Sequence, residues 1–176
     1  TANDIAGIET HVHAPVVANY ASGYVAASLD SADDEIDVVD YHTYAGDPLS
    51  SILGVGATIA AHNPDGVTEP IWVSEWGTYD SSYDDFGRAM LTADQLLTFS
   101  EQGVQGVNIF AFYDWGGVSG LVQADGTKTE TYYAYRLMTR GLVGGKERLG
   151  HTAGGLGAGT RTMVTRDAQY VYVVVL

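Results

Sequence analysis

The stretch Ile71-Trp72-Val73-Ser74-Glu75-Trp76-Gly77 constrains the fold more than any other part of this chain. An apolar run ends in a glutamate, and an aromatic residue and a glycine follow at once. A strand that is apolar along its length belongs in a parallel sheet covered on both faces. A carboxylate at the C-terminal end of such a strand lies where parallel α/β barrels keep their chemistry. Glu75 loses solvation there and becomes a candidate catalytic group. The plainer reading is a strand-end glutamate paired to an arginine or a backbone amide. The residues that accompany Glu75 weigh against it.

The rest of the chain alternates strand and helix patterns. Residues 3–10 read as a short buried strand leading into His11-Val12-His13, and residues 16–29 as a helix with Val16, Val17, Tyr20, Tyr24, Val25 and Leu29 on one face. An acidic connector over 30–35 precedes a buried strand over 36–44, which ends in Tyr41-His42-Thr43-Tyr44. Asp47-Pro48 is an N-cap and first-turn proline, and starts a helix that runs to Ala61. Gly54-Val55-Gly56 falls inside that helical pattern and reads as packing, not as a phosphate loop. Asn63-Pro64-Asp65-Gly66 is a turn. After the strand over 71–75 come a polar loop over 78–84, a helix over 85–102 and a C-terminal glycine at Gly103. A strand over 106–113 ends in Asp114-Trp115-Gly116-Gly117, and another helix covers 129–139. Strands alternating with helices over short loops predict βα units on a parallel sheet.

Beyond Gly141 the composition shifts. Residues 144–159 are rich in Gly and Ala and read as a linker; residues 160–166 and 170–176 alternate as strands around the turn Asp167-Ala168-Gln169. Four βα units do not close a barrel of eight, and a lone hairpin is not stable in water. Both ends therefore read as cut. The expected fold class is α/β: strands five to eight of a (β/α)8 barrel over 1–143, a linker over 144–159, and the start of an accessory β domain over 160–176.

At 176 residues, 45% of them hydrophobic, the chain has the length of one domain, or of one and part of another. No apolar run is long enough for a membrane span, and no segment reads as a signal peptide. The absence of cysteine excludes disulfides and thiolate chemistry. Acidic residues number 22 against 8 basic ones, for a net charge of −14. Such a field repels nucleic acid and anionic membranes, and it is relieved by salt. The expectation is a salt-adapted, secreted protein, against the plainer reading of an acidic protein with no such adaptation.

If the strands are barrel strands, their C-terminal ends gather His11 and His13, His42 and Tyr44, Glu75 and Trp76, and Asp114 and Trp115. A glutamate among histidine, tyrosine and tryptophan suits glycoside hydrolysis. Indole offers a flat apolar face to a sugar ring, while tyrosine or histidine orients the carboxylate. On Tyr41-His42-Thr43-Tyr44, Val73-Ser74-Glu75-Trp76-Gly77 and Phe112-Tyr113-Asp114-Trp115, residues 1–143 resemble the C-terminal half of a clan A glycoside hydrolase, nearest to family 39 and similar also to family 5. The resemblance implies Glu75 as nucleophile, Tyr44 and His42 as its supports, and Trp115 stacked on the −1 sugar with Trp76 extending the platform. His11, His13 and Asp114 would line the substrate. The clan's acid/base is a glutamate after an asparagine, and no Asn-Glu pair occurs here. The resemblance therefore places that residue upstream of Thr1, in a missing remainder of the same protein. It implies no cofactor and no metal.

Two other readings compete. Ile8-Glu9-Thr10-His11-Val12-His13 is similar to the His-x-His strand of the amidohydrolases, in which two imidazoles on one face share a metal; here only His42, His62 and His151 follow. A non-catalytic carbohydrate-binding or structural surface protein would use Trp76, Tyr79, Tyr83, Trp115, Tyr132 and Tyr133 for contact alone. The favoured function is a retaining glycoside hydrolase acting on a β-linked sugar or polysaccharide, with a carbohydrate as its partner.

Overall fold

The computed structural model describes residues 11–44, 47–62, 66–78, 80–114 and 120–176. The chain divides into two compact units. One takes the chain up to Gly77 together with Gln102–Phe110, and the other takes Thr78–Glu101 and Ala111–Leu176.

The first unit is built on a parallel sheet. Its strands β1 (His13–Val17), β2 (Val38–Thr43), β3 (Ile71–Trp76) and β4 (Gly106–Ile109) lie in the order β1-β2-β3-β4. Helices α1 (Ser22–Ala32) and α2 (Leu49–Ala61) belong to the same unit. Successive residues of a strand face opposite ways, so Val39 and Tyr41 share one face of β2, and Val38, Asp40 and His42 share the other. Val39 and Tyr41 are fully buried. Tyr41 packs edge-on to Tyr20, its ring centroid 6.2 Å away, and its hydroxyl lies 3.3 Å from Ser51 Oγ on α2. Burial pushes the Tyr41 phenol above its ordinary pKa. Gly54 is a packing residue, as the sequence suggested. A Cβ there would come within 2.6 Å of the Tyr20 ring, and Tyr20 Oη reaches Thr58 Oγ1 at 2.8 Å.

The helix expected over 16–29 begins only at Ser22, because Val16 and Val17 belong to β1. Two adjacent β-branched residues after a proline favour extended backbone over a first helical turn. Of the residues expected on its inward face, Val25 and Leu29, four apart, are buried, while Tyr24 is exposed. Asp47 acts at the start of α2 through its Oδ1, which accepts from Leu49 N at 2.9 Å. The strand expected over 3–10 lies outside the described residues, as do Asn63, Pro64 and Asp65 of the expected turn.

The second unit contains α3 (Asp85–Glu101), α4 (Glu130–Leu142) and an antiparallel sheet in the order β5-β6-β7, formed by Glu147–Leu149, Thr162–Arg166 and Val171–Val175. The two helices pack on each other. Thr129 caps α4, its Oγ1 accepting from Tyr132 N at 3.2 Å. The glycine-rich stretch over 144–159 contains β5, so the sheet has three strands where the sequence pattern suggested two. Three residues are too few to show an alternation among flanking glycines. Arg161 ties the start of this sheet to α3, reaching Asp94 Oδ1 and Glu101 Oε2 at 2.5 Å each and Thr98 Oγ1 at 3.0 Å. On the inward face of β6, Met163 and Thr165 are buried, and the Thr165 hydroxyl donates to the Gly141 carbonyl on α4.

The strand expected over 106–113 stops at Ile109. From Ala111 the chain pairs with a later segment instead: Leu121 N donates to Ala111 O at 3.2 Å, and Asp114 N to Val122 O at 2.8 Å.

Candidate active site

The C-terminal ends of β2 and β3 carry the candidate residues His42, Tyr44 and Glu75, and the register between the strands decides which side chains meet. Val73 pairs with Tyr41, but the next pair joins His42 to Glu75, passing over Ser74. Against β4 the same strand also holds one extra residue, since Val73 pairs with Val107 and Trp76 with Ile109. Ser74 is thus the inserted residue of a β-bulge. Regular alternation would put Glu75 on the face of buried Val73. The bulge moves it to the face of His42 and turns Trp76 to the opposite side.

The consequence is a three-residue cluster. The Tyr44 hydroxyl donates a hydrogen bond to Glu75 Oε2. His42 Nδ1 lies 3.2 Å from the same oxygen. The His42 side chain is 16% exposed and that of Glu75 36%, so the carboxylate is held from the sheet yet open to solvent. Tyr44 is itself placed edge-on to Phe110, with ring centroids 6.3 Å apart. Both contacts to Glu75 fall on Oε2, and Oε1 has no protein partner among the described residues. A carboxylate fixed at one oxygen and accessible at the other is oriented for attack on an electrophile.

Below this cluster lies a second polar group, which sequence reasoning missed. Asp40 is 3% exposed. Its Oδ2 faces His13 Nδ1 at 3.2 Å, and its Oδ1 accepts from Ser74 N at 3.0 Å. The His13 ring meets Trp72 edge-on at 5.0 Å. Trp72 in turn lies against the backbone of Gly106, where a Cβ would come within 2.4 Å of the indole. The signal available in the sequence was a pair of acids, Asp37 and Asp40, in the apolar run Ile36 to Tyr41, of which Asp40 follows two valines directly. A buried carboxylate must find partners, so such a residue marks a contact worth locating.

Other expected site residues are placed differently. Trp76 is 1% exposed and has no open ring face for a sugar, which corrects its reading as part of a stacking platform. His13 opens β1 rather than closing a strand. It pairs with Val38, four residues before His42, or about 13 Å back along the sheet. His11 precedes β1 and is exposed, so the two histidines do not share a strand face beside Glu75. Among the described residues no group of three His, Cys, Asp or Glu side chains is arranged to hold a metal. His62 pairs with Asp30 at 2.8 Å. Asp114 belongs to the second unit. Trp115 and Tyr79 lie outside the described residues. No described helix is long and apolar enough to cross a membrane.

No family model matches the chain, and no curated protein does. Solved structures do match in fold. A GH51 arabinofuranosidase from Xanthomonas axonopodis pv. citri superposes with TM-score 0.75 at 14% identity, over 98% of this chain and 44% of its own. A GH39 β-xylosidase from Caulobacter crescentus gives 0.66 at 19%, over 93% and 38%. A GH30 endoxylanase from Clostridium papyrosolvens C71 gives 0.67 at 17%, over 98% and 42%. The chain spans less than half the length of each. Its parallel sheet, with an antiparallel region after it, has the fold of the C-terminal part of a clan A glycoside-hydrolase TIM barrel.

Proposed function

We propose that this chain carries the nucleophile of a retaining glycoside hydrolase acting on a β-linked sugar or polysaccharide. The observation that carries the reading is the Glu75 carboxylate at the C-terminal end of a parallel strand, with Tyr44 and His42 on one of its oxygens. In double displacement a carboxylate attacks the anomeric carbon through an oxocarbenium-like transition state, and a second carboxyl group about 5 Å away protonates the leaving oxygen. Glu75 takes the first role. Tyr44 and His42 orient it, and Trp115 stacks on the sugar. The resemblance implies a proton donor that follows an asparagine, and no Asn-Glu pair occurs in residues 1–176. Two of the structural neighbours are named for xylose-releasing or xylan-cleaving activity, which supports a neutral sugar chain as substrate. The net charge of −14 works against sulfated or uronic chains and suits a secreted, salt-adapted enzyme.

The test uses the native polypeptide in which these residues occur, assayed on aryl β-glycosides and on xylan. Glu75→Gln keeps the size of the side chain and removes the nucleophile. It is expected to lower kcat at least about a thousandfold while sugar affinity changes little. Unchanged turnover would overturn the assignment. Sugar binding without turnover in the unaltered protein would point to a binding surface instead. An intact mass well above that of 176 residues, with an upstream strand ending in Asn-Glu, supplies the second carboxylate.

A further inference from the structure

We infer that Asp40 is a positioning residue for Glu75, acting through the backbone of the Ser74 bulge. The inference rests on the reading of Glu75 as nucleophile.

A bulged residue is left out of the ladder, so its backbone N–H needs another acceptor. Ser74 is passed over in the register with β2, and β3 also holds one extra residue against β4. Its N–H donates to Asp40 Oδ1 at 3.0 Å. An amide held this way fixes the extra residue at position 74 and nowhere else along the strand. A shift of one residue exchanges the two faces of a strand. With the bulge at Ser74, Glu75 pairs with His42 and bonds to Tyr44. Without it, Glu75 would take the side of Val73, which is fully buried.

Asp40 is itself held. It stands on β2, and its second oxygen faces His13 on β1 at 3.2 Å. Buried as it is, its carboxylate is satisfied on one side by an imidazole and on the other by the bulge amide. Three strands therefore meet at one side chain, and the position of Ser74 is set from β1 and β2 together. What the site requires of Asp40 is an acceptor at Oδ1. An asparagine side chain also offers a carbonyl oxygen there, whereas leucine fills the same space and offers none.

The experiment compares Asp40→Asn and Asp40→Leu in the native polypeptide, by crystal structure and by steady-state kinetics. Asp40→Leu is expected to release the Ser74 amide, separate Glu75 from Tyr44, and lower kcat at least about a hundredfold with KM within about threefold. Asp40→Asn is expected to keep both contacts and to hold kcat within about tenfold. Glu75 still bonded to Tyr44 in Asp40→Leu would overturn the inference, as would an Asp40→Asn variant as impaired as Asp40→Leu. If Asp40→Leu does not fold, the Asp40→Asn structure decides alone. Retention of both contacts supports the inference; a Ser74 amide turned away from residue 40 with Glu75 still on Tyr44, or loss of both contacts, overturns it. Full turnover by Glu75→Gln would sink the functional reading, and the crystallographic comparison would still judge Asp40.

Discussion

Tyr44 is the residue whose removal most cleanly separates orientation from chemistry. Its hydroxyl donates to Glu75 Oε2, and its ring is supported by Phe110. Tyr44→Phe keeps the ring and deletes one hydrogen bond to a charged group, which is worth about 1.5–3 kcal/mol. If the bond is made mainly in the transition state, kcat falls about 10- to 100-fold with KM within about threefold. Steady-state kinetics on an aryl β-glycoside measures this, and an unchanged kcat would show that His42 alone suffices. Neighbouring residues show how far a motif can be read. Glu75 stood out because a carboxylate closed an apolar run. Trp76 stood out equally, yet it is a core residue. Nothing in the linear pattern distinguishes the two, since both adjoin the bulge and only the bulge sets their faces.

At the scale of the element, the end of β3 is where backbone geometry is tightest. Phe110 N donates to Trp76 O at 2.7 Å, drawing the ends of β3 and β4 together. A Cβ on Gly77 would lie 2.3 Å from the Phe110 carbonyl oxygen. That oxygen belongs to the backbone and cannot rotate away. Gly77→Ala is therefore expected to cost about 1–3 kcal/mol through forced movement of one strand end. Denaturant unfolding checks it against Gly56→Ala, where a Cβ meets nothing within 4 Å in the middle of α2. The latter variant is expected to be neutral or stabilising by up to about 1 kcal/mol. Equal destabilisation by both would remove the steric account of Gly77. Element types and the order of strands and helices were largely legible, because a period of two or of 3.6 is a local property. Strand ends were less so. Val16 and Val17 fit a helix pattern and form a strand, while Ala111 to Tyr113 extend an apolar run but pair with a later segment.

For the whole molecule, charge is the property with the widest consequence. A net charge of −14 on 176 residues gives a self-repulsion that salt screens, the Debye length falling from about 10 Å at 0.1 M to about 3 Å at 1 M. The melting temperature is expected to rise between dilute buffer and molar sodium chloride. A flat or falling curve would remove the salt-adapted reading. The sequence by itself determined the alternation of strand and helix, the parallel class of the main sheet, the acidic surface and the candidacy of Glu75, because each follows from residues adjacent in the chain. Only the tertiary structure decided which residues share a face. The bulge at Ser74 depends on Asp40, 34 residues earlier, and on pairing with β2 and β4. A contact between residues so far apart leaves no periodic trace in the strand it bends, and so it is visible only once the strands lie side by side.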